Sequence, residues 1–190
     1  MSGRELSVKS FTELDTLSGA SVDSAADYYA VFDASAGKVK RVLAGGGAFG
    51  DPRVDCTAST LTVTRADHAR KVITLNRAAG IAVTLPDATG TGERYEFIIG
   101  TTVTSNSTTI KVPDSSNIMC GVAIMAADGG STSNAWETAA DTDTITFDGS
   151  TTGGIKGDRV VLTDIAADTW QVNIFGASTG TEATPFSATV

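Results

Sequence analysis

Apolar and polar residues alternate along this chain in short runs, and the runs are separated by Gly, Asn, Asp, Ser and Thr. STLTVT (59–64) sets Leu61 and Val63 on one side, and a period of two is the mark of a half-buried strand. KVITL (71–75) and IAVTL (ending at Leu85) repeat the pattern on either side of NRAAG, a turn closed by Gly80. PDATGTGE (86–93) is a loop. RYEFIIG (94–100), TTIKV (108–112), NIMCGVAIM (117–125), DTITF (143–147), DRVVLTDI (158–165) and TWQVNIF (169–175) continue the series. TSNS (104–107), DGGSTSN (128–134), DGSTTGG (148–154) and AAD (166–168) supply turn chemistry between them. No stretch holds a helical period, and AWETAAD (135–141) allows one turn at most. The pattern predicts an all-β fold over 53–190: an antiparallel β-sandwich, jelly-roll-like or barrel-like domain.

The first 45 residues read differently. After a polar start, DYYAVFD (27–33) and KVKRVLA (38–44) flank the turn ASAG (34–37), which predicts a small hairpin at the end of an extended arm. A Gly-rich stretch, residues 46–52 and ending at Pro52, is expected to be a linker.

Composition agrees with strands and turns. Aromatic residues are only 6%, so Val, Ile, Leu and Ala must make the core, while 20 glycines serve the turns. Charge is distributed unevenly. Residues 1–80 hold ten Lys/Arg against nine Asp/Glu, whereas residues 81–190 hold four against thirteen. Such an acidic surface repels nucleic-acid phosphates, so no nucleic acid is expected as a partner. No apolar run approaches the ~18 residues of a membrane span, and MSGRELSVKSFTELD has no apolar leader core, so synthesis in the cytoplasm without a membrane partner is expected.

Catalytic chemistry is hard to assemble from this composition. His68, in RADHARK, is the one histidine, and any Ser–His–Asp or Cys–His arrangement would have to use it. A surface histidine in a loop is the expectation. Cys56 and Cys120 stand 64 residues apart without a CxxC, so a zinc site lacks ligands. They are expected as buried or partly buried thiols, with a disulfide as the alternative. GGGAFG (45–50) lacks the Lys and Ser/Thr of a phosphate loop. Asp141, Asp143 and Asp148 offer carboxylates to a cation such as calcium, but alternation equally places Asp141 and Asp143 on a solvated face. Trp136 and Trp170 suit sugar stacking less well than the edge of a core. No enzyme activity, cofactor or metal is expected.

Several segments resemble one family when taken in order. VITLNRAAGIAVTLPDATGTGERYEFIIGTTVTSNSTTIKV (72–112), GVAIMA (121–126), FDGSTTGGIKGDRVVLTDIAADTWQV (147–172) and GTEATPFSATV (180–190) resemble a module of tailed-bacteriophage virion proteins. SFTELDTLSGASVDSAADYYAVFDASAGKVKRV (10–42) is similar to an element of phage fibre and head-attached proteins. The resemblance implies a structural component of a phage particle, in the first place a decoration or cement protein on the outside of the capsid. Its partners would be the major capsid protein and two further copies of itself. The alternative implied is a tail-fibre or head-fibre structural or receptor-binding module. Lys38, Lys40 and Arg41, on the second strand of the expected hairpin, are the candidate capsid or subunit contacts.

Overall fold

The computed structural model describes residues 28–33, 37–43 and 53–190. The chain divides into two compact units, Met1–Gly50 and Asp51–Val190. In the first unit, β1 (Tyr28–Asp33) pairs antiparallel with β2 (Lys38–Leu43), from Tyr28 opposite Leu43 to Asp33 opposite Lys38. Gly37 precedes β2 in the left-handed region. The expected arm before β1 and the expected linker at 46–52 lie outside the described residues.

The second unit is nearly all β, as the alternation predicts, and its two sheets are mixed rather than wholly antiparallel. β3 (Arg53–Cys56), β5 (Val72–Leu75) and β7 (Arg94–Ile99) lie side by side in parallel in one sheet. β4 (Thr60–Thr62), β6 (Ala82–Thr84) and β8 (Thr108–Lys111) do the same in the other. The chain therefore crosses to the opposite sheet after each strand. Successive strands of one sheet are then separated by a complete circuit, and a complete circuit returns the chain in the same direction. Residues 53–112 thus form three stacked rungs. Their likeness is masked in the sequence by connections of unequal length, such as TAS (57–59) against GTTVTSNS (100–107).

The remaining strands close this stack. β9 (Ile118–Ala127) and β10 (Thr132–Glu137) form a hairpin, as do β12 (Arg159–Ala166) and β13 (Thr169–Ser178). The larger sheet runs β10-β9-β13-β12-β7-β5-β3. β11 (Thr144–Phe147) and β14 (Phe186–Ser187) complete the smaller one, in the order β14-β11-β8-β6-β4. One hydrophobic cluster draws on both sheets: Ile73, Tyr95, Phe97 and Leu162 from the larger, Ile110 and Phe147 from the smaller. Trp170 is 0% exposed and stacks at a tilt on Tyr95, ring centroids 5.6 Å apart, so it fills the core rather than covering its edge. At Gly121 (φ +153) a Cβ would overlap the carbonyl oxygen of Val172, so glycine alone lets β9 lie this close to β13.

Three strands depart from the sequence reading. β3 carries Arg53 and Asp55 on one face, which weakens its apolar signal. β10 spans TSNAWE, where a loop and a helical turn were the expectation; Trp136 packs against the core from it. β14 has two residues. A one-turn helix, α1 (Arg65–His68), also replaces the expected loop, capped by Thr64, whose hydroxyl accepts the Asp67 N–H. His68 is buried there, and its Nδ1 lies 3.0 Å from the Thr64 N–H.

Buried aspartates hold the connections. Asp164 is 1% exposed and accepts N–H bonds from Thr89, Gly90 and Thr91 at 2.6–3.1 Å, with the Thr91 hydroxyl at 2.9 Å. It ties the loop leading into the third rung to β12. Asp158 accepts from Gly154, Ile155 and Ala177 at 2.8–2.9 Å. Asp143 was expected on a solvated face. It is instead buried and takes the N–H groups of Thr189 and Val190. Burial raises the Asp164 pKa, but the N–H bonds of Thr91, Thr89 and Gly90 outweigh it and hold the carboxyl below its ordinary value. The same balance lowers Asp143 and Asp148. At Asp158 burial prevails and the pKa rises.

Asp164→Asn would turn an amide NH2 toward donors that need an acceptor. A loss of about 2–3 kcal/mol is expected by chemical denaturation. A carboxyl with a lowered folded pKa stabilises above its unfolded value of about 3.9, and loses that contribution as pH falls through the folded value. Asp158 has the opposite sign: its contribution is full at low pH and is lost as pH rises through its raised value. With five lowered carboxyls, those of Glu96, Asp114, Asp143, Asp148 and Asp164, against one raised, wild-type stability should fall below about pH 4. Asp164→Asn should show a shallower fall, and an unchanged acid slope would contradict the assignment.

Candidate interaction face

The inner face of the larger sheet is covered by the smaller one, and within the second unit no further sheet lies over its outer face. Pairing registers line up the outward residues in rows. One row reads Ala135, Ile124, Phe175, Arg159, Ile98, Thr74 and ends at Asp55 on β3. The next reads Glu137, Val122, Asn173, Val161, Glu96, Val72 and ends at Arg53 on β3. Ile124 is 42% exposed and Phe175 51%, and they are direct cross-strand neighbours. Packing does not require them: the inward positions of the same strands are already filled by Ala123, Met125, Val172 and Ile174. Adjacent large apolar side chains left in water mark a contact surface more strongly than scattered ones do.

Beside this apolar strip the face is cationic. Arg94 and Arg159 both reach Glu96, at 3.3 and 2.7 Å. The hydrogen bond from Arg159, opposed by burial and aided by both positive charges, lowers the Glu96 pKa. Two cations on one carboxylate leave net positive charge there. Arg70, Lys71, Val72, Arg94 and Glu96 line a shallow cleft of about 190 Å³, and a neighbouring one of about 350 Å³ shares Arg70 and reaches Arg65 and Glu93. Arg65 pairs with Glu93 at 2.6 Å, and the Tyr95 hydroxyl donates to the same carboxylate. Burial first, and then that hydrogen bond, push the Tyr95 phenol up.

Other sequence candidates resolve individually. Lys38, Lys40 and Arg41 lie on β2 of the first unit, and their side chains lie outside the described residues. Cys56 and Cys120 are both free, the first buried, with its thiol pKa raised by burial. Asp148 is used by its own turn, accepting from Ser150, Thr151 and Thr152. Among the described residues no three His, Cys, Asp or Glu side chains gather as metal ligands. Ile124 was hidden in the sequence because its run reads as core on both alternations, whereas Phe175 shares its alternation with the polar Thr169, Gln171 and Asn173. A usable signal was present, however: no Lys or Arg occurs between Lys111 and Lys156.

No family model matches the chain, and no curated protein sequence matches it.

If the strip serves contact rather than stability, Phe175→Ser and Ile124→Ser should each change unfolding free energy by no more than about 0.5 kcal/mol. Trp170→Ala, a cavity in the core, should cost about 3–5 kcal/mol. Equal losses at Phe175 and Trp170 in denaturant titrations would show that Phe175 is part of the core.

Proposed function

We propose that the protein is a structural component of a tailed-phage particle, binding the outside of the capsid and stabilising it as a decoration protein. Its partners on this reading are the major capsid protein and further copies of itself, three in all, and its place is the virion surface. The observation that carries the proposal is the outer face of the larger sheet, with Ile124 and Phe175 at an apolar centre and Arg94 and Arg159 at one flank. Such a face suits docking on a protein surface. An apolar patch is desolvated on contact, and the flanking charges fix register. Cementing needs nothing more, because surface buried across assembled subunits stabilises the shell and not the free subunits. No catalytic role is proposed for any residue.

One observation favours a second reading, a head-fibre or tail-fibre module. Three parallel rungs are the building principle of a shaft, in which each repeat stacks on its neighbour. The rungs here stop after β7 and β8, where antiparallel strands take over, so decoration stays first.

Co-sedimentation with purified heads and purified tails tests the choice. Decoration predicts saturable binding to heads at a fixed ratio to the major capsid protein, weakened about tenfold or more by Phe175→Ser. Binding to tails alone, or to neither, sinks it.

A further inference from the structure

A strained corner follows α1. Arg70 has φ +63, a left-handed conformation that is costly for a residue with a long side chain and that glycine adopts freely. Backbone bonds hold it there: the Arg70 N–H donates to the Arg94 carbonyl at 3.0 Å, and the Lys71 N–H to that of His68 at 3.3 Å. Arg70, Lys71 and Arg94 therefore line one cleft, that of about 190 Å³. An arginine kept where glycine would be easier points to a task for its side chain.

The cleft holds more cations than partners for them. Glu96 is its one carboxylate, and Arg94 and Arg159 both pair with it. Among the described residues no ion pair or side-chain hydrogen bond takes up Arg70 or Lys71. The acids on neighbouring elements are engaged elsewhere. Glu93 holds Arg65 and the Tyr95 hydroxyl, Asp67 accepts from the Thr64 hydroxyl at 2.8 Å, and Asp164 gathers the loop at 89–91. β3, beside β5, carries Arg53 and Asp55, one charge of each sign, and so leaves the balance unchanged. Arg70, Lys71, Arg94 and Arg159 around one carboxylate run against the sign of a unit with nine Lys/Arg and fifteen Asp/Glu.

We propose that this cleft binds the carboxylate side chains of an acidic protein segment, with Arg70 and Lys71 as the unengaged donors and Arg94 beside them. Glu96 shows the pairing on this chain: a carboxylate between two guanidiniums, whose forks match its oxygens. A protein segment is the occupant because the cleft continues into apolar surface. Val72 lines it, and Arg159 stands between Ile98 and the exposed Phe175 in one row. A protein surface presents carboxylates and apolar side chains together. A nucleic acid would lay further phosphates against an acidic unit. This inference rests on the decoration reading for the face it uses, and adds the chemistry of what the capsid presents to it.

The test is fluorescence anisotropy of a labelled hexaglutamate peptide titrated with the full chain, at low and high salt. Wild-type protein should bind it in low salt, more weakly in high salt, and should ignore hexaglutamine. Arg70→Gly and Lys71→Gln should each raise the dissociation constant about tenfold. Lys156→Gln, the same change of net charge at an exposed lysine outside the cleft, should alter it by less than about twofold. At position 70 glycine relieves the backbone but loosens the unfolded chain, so the melting temperature should stay within about 2 °C of wild type. Absence of hexaglutamate binding in low salt overturns the inference. So does equal weakening by Lys156→Gln, which would make the effect one of net charge, and so does tighter binding of hexathymidylate or inorganic phosphate than of hexaglutamate. Protein that binds heads but not hexaglutamate sinks this inference and spares the decoration reading; protein that binds hexaglutamate but no head form does the reverse.

Discussion

The carboxylate of Asp164 joins the two halves of the second unit. The parallel half, residues 53–112, winds through three rungs, and the half that closes it is mainly antiparallel. The loop at 89–91, which leads into the third rung, has its N–H groups gathered by a side chain on β12. A buried charge without a cation beside it survives only when donors surround it, and backbone amides are the donors a loop can always provide. Asp158 does the same for 154–155 and the end of β13, and Asp143 for Thr189 and Val190. These connections are thereby fixed without a disulfide, both cysteines being free.

With the loops held from inside, the outer face of the larger sheet is released from structural duty. Inward positions carry the packing, and outward ones need only tolerate water. Thr74, Asn173 and the charged Arg159, Glu96 and Glu137 do, and the apolar Val72, Ile98, Val122 and Val161 are half-buried or buried among their neighbours. Ile124 and Phe175 do not, and neither does the collection of cations on one side of an acidic unit. Both features cost solubility and contribute nothing to the core, and a binding face accounts for them together.

Much of this architecture could be read from period and punctuation. Strands β4 to β9 and β11 to β13 fall where alternation places them, because each buries one face and alternation is the direct record of that burial. Strand order was not legible. A connection of five residues and one of eight look alike in sequence whether the chain turns back or crosses to the other sheet, so three parallel rungs read as antiparallel strands. Buried aspartates were also hidden: Asp143 in DTITF obeys the rule for a solvated residue, and only the return of the chain end to it makes burial tolerable. His68 misled for the same reason, its ring being sheltered by a helical turn too short to leave a periodic signal. The face was legible only in part: alternation in TWQVNIF sets Phe175 with Thr169, Gln171 and Asn173 away from the core, but only the pairing register puts Ile124 beside it.

The claim at the centre of this account is that the outer face of the larger sheet meets the capsid. Cryo-electron microscopy of intact particles tests it most directly, by locating the subunit and its orientation together. The account predicts density on the head with Ile124 and Phe175 turned toward the shell. Density on the tail, or on the head with that face directed to solvent, would contradict it.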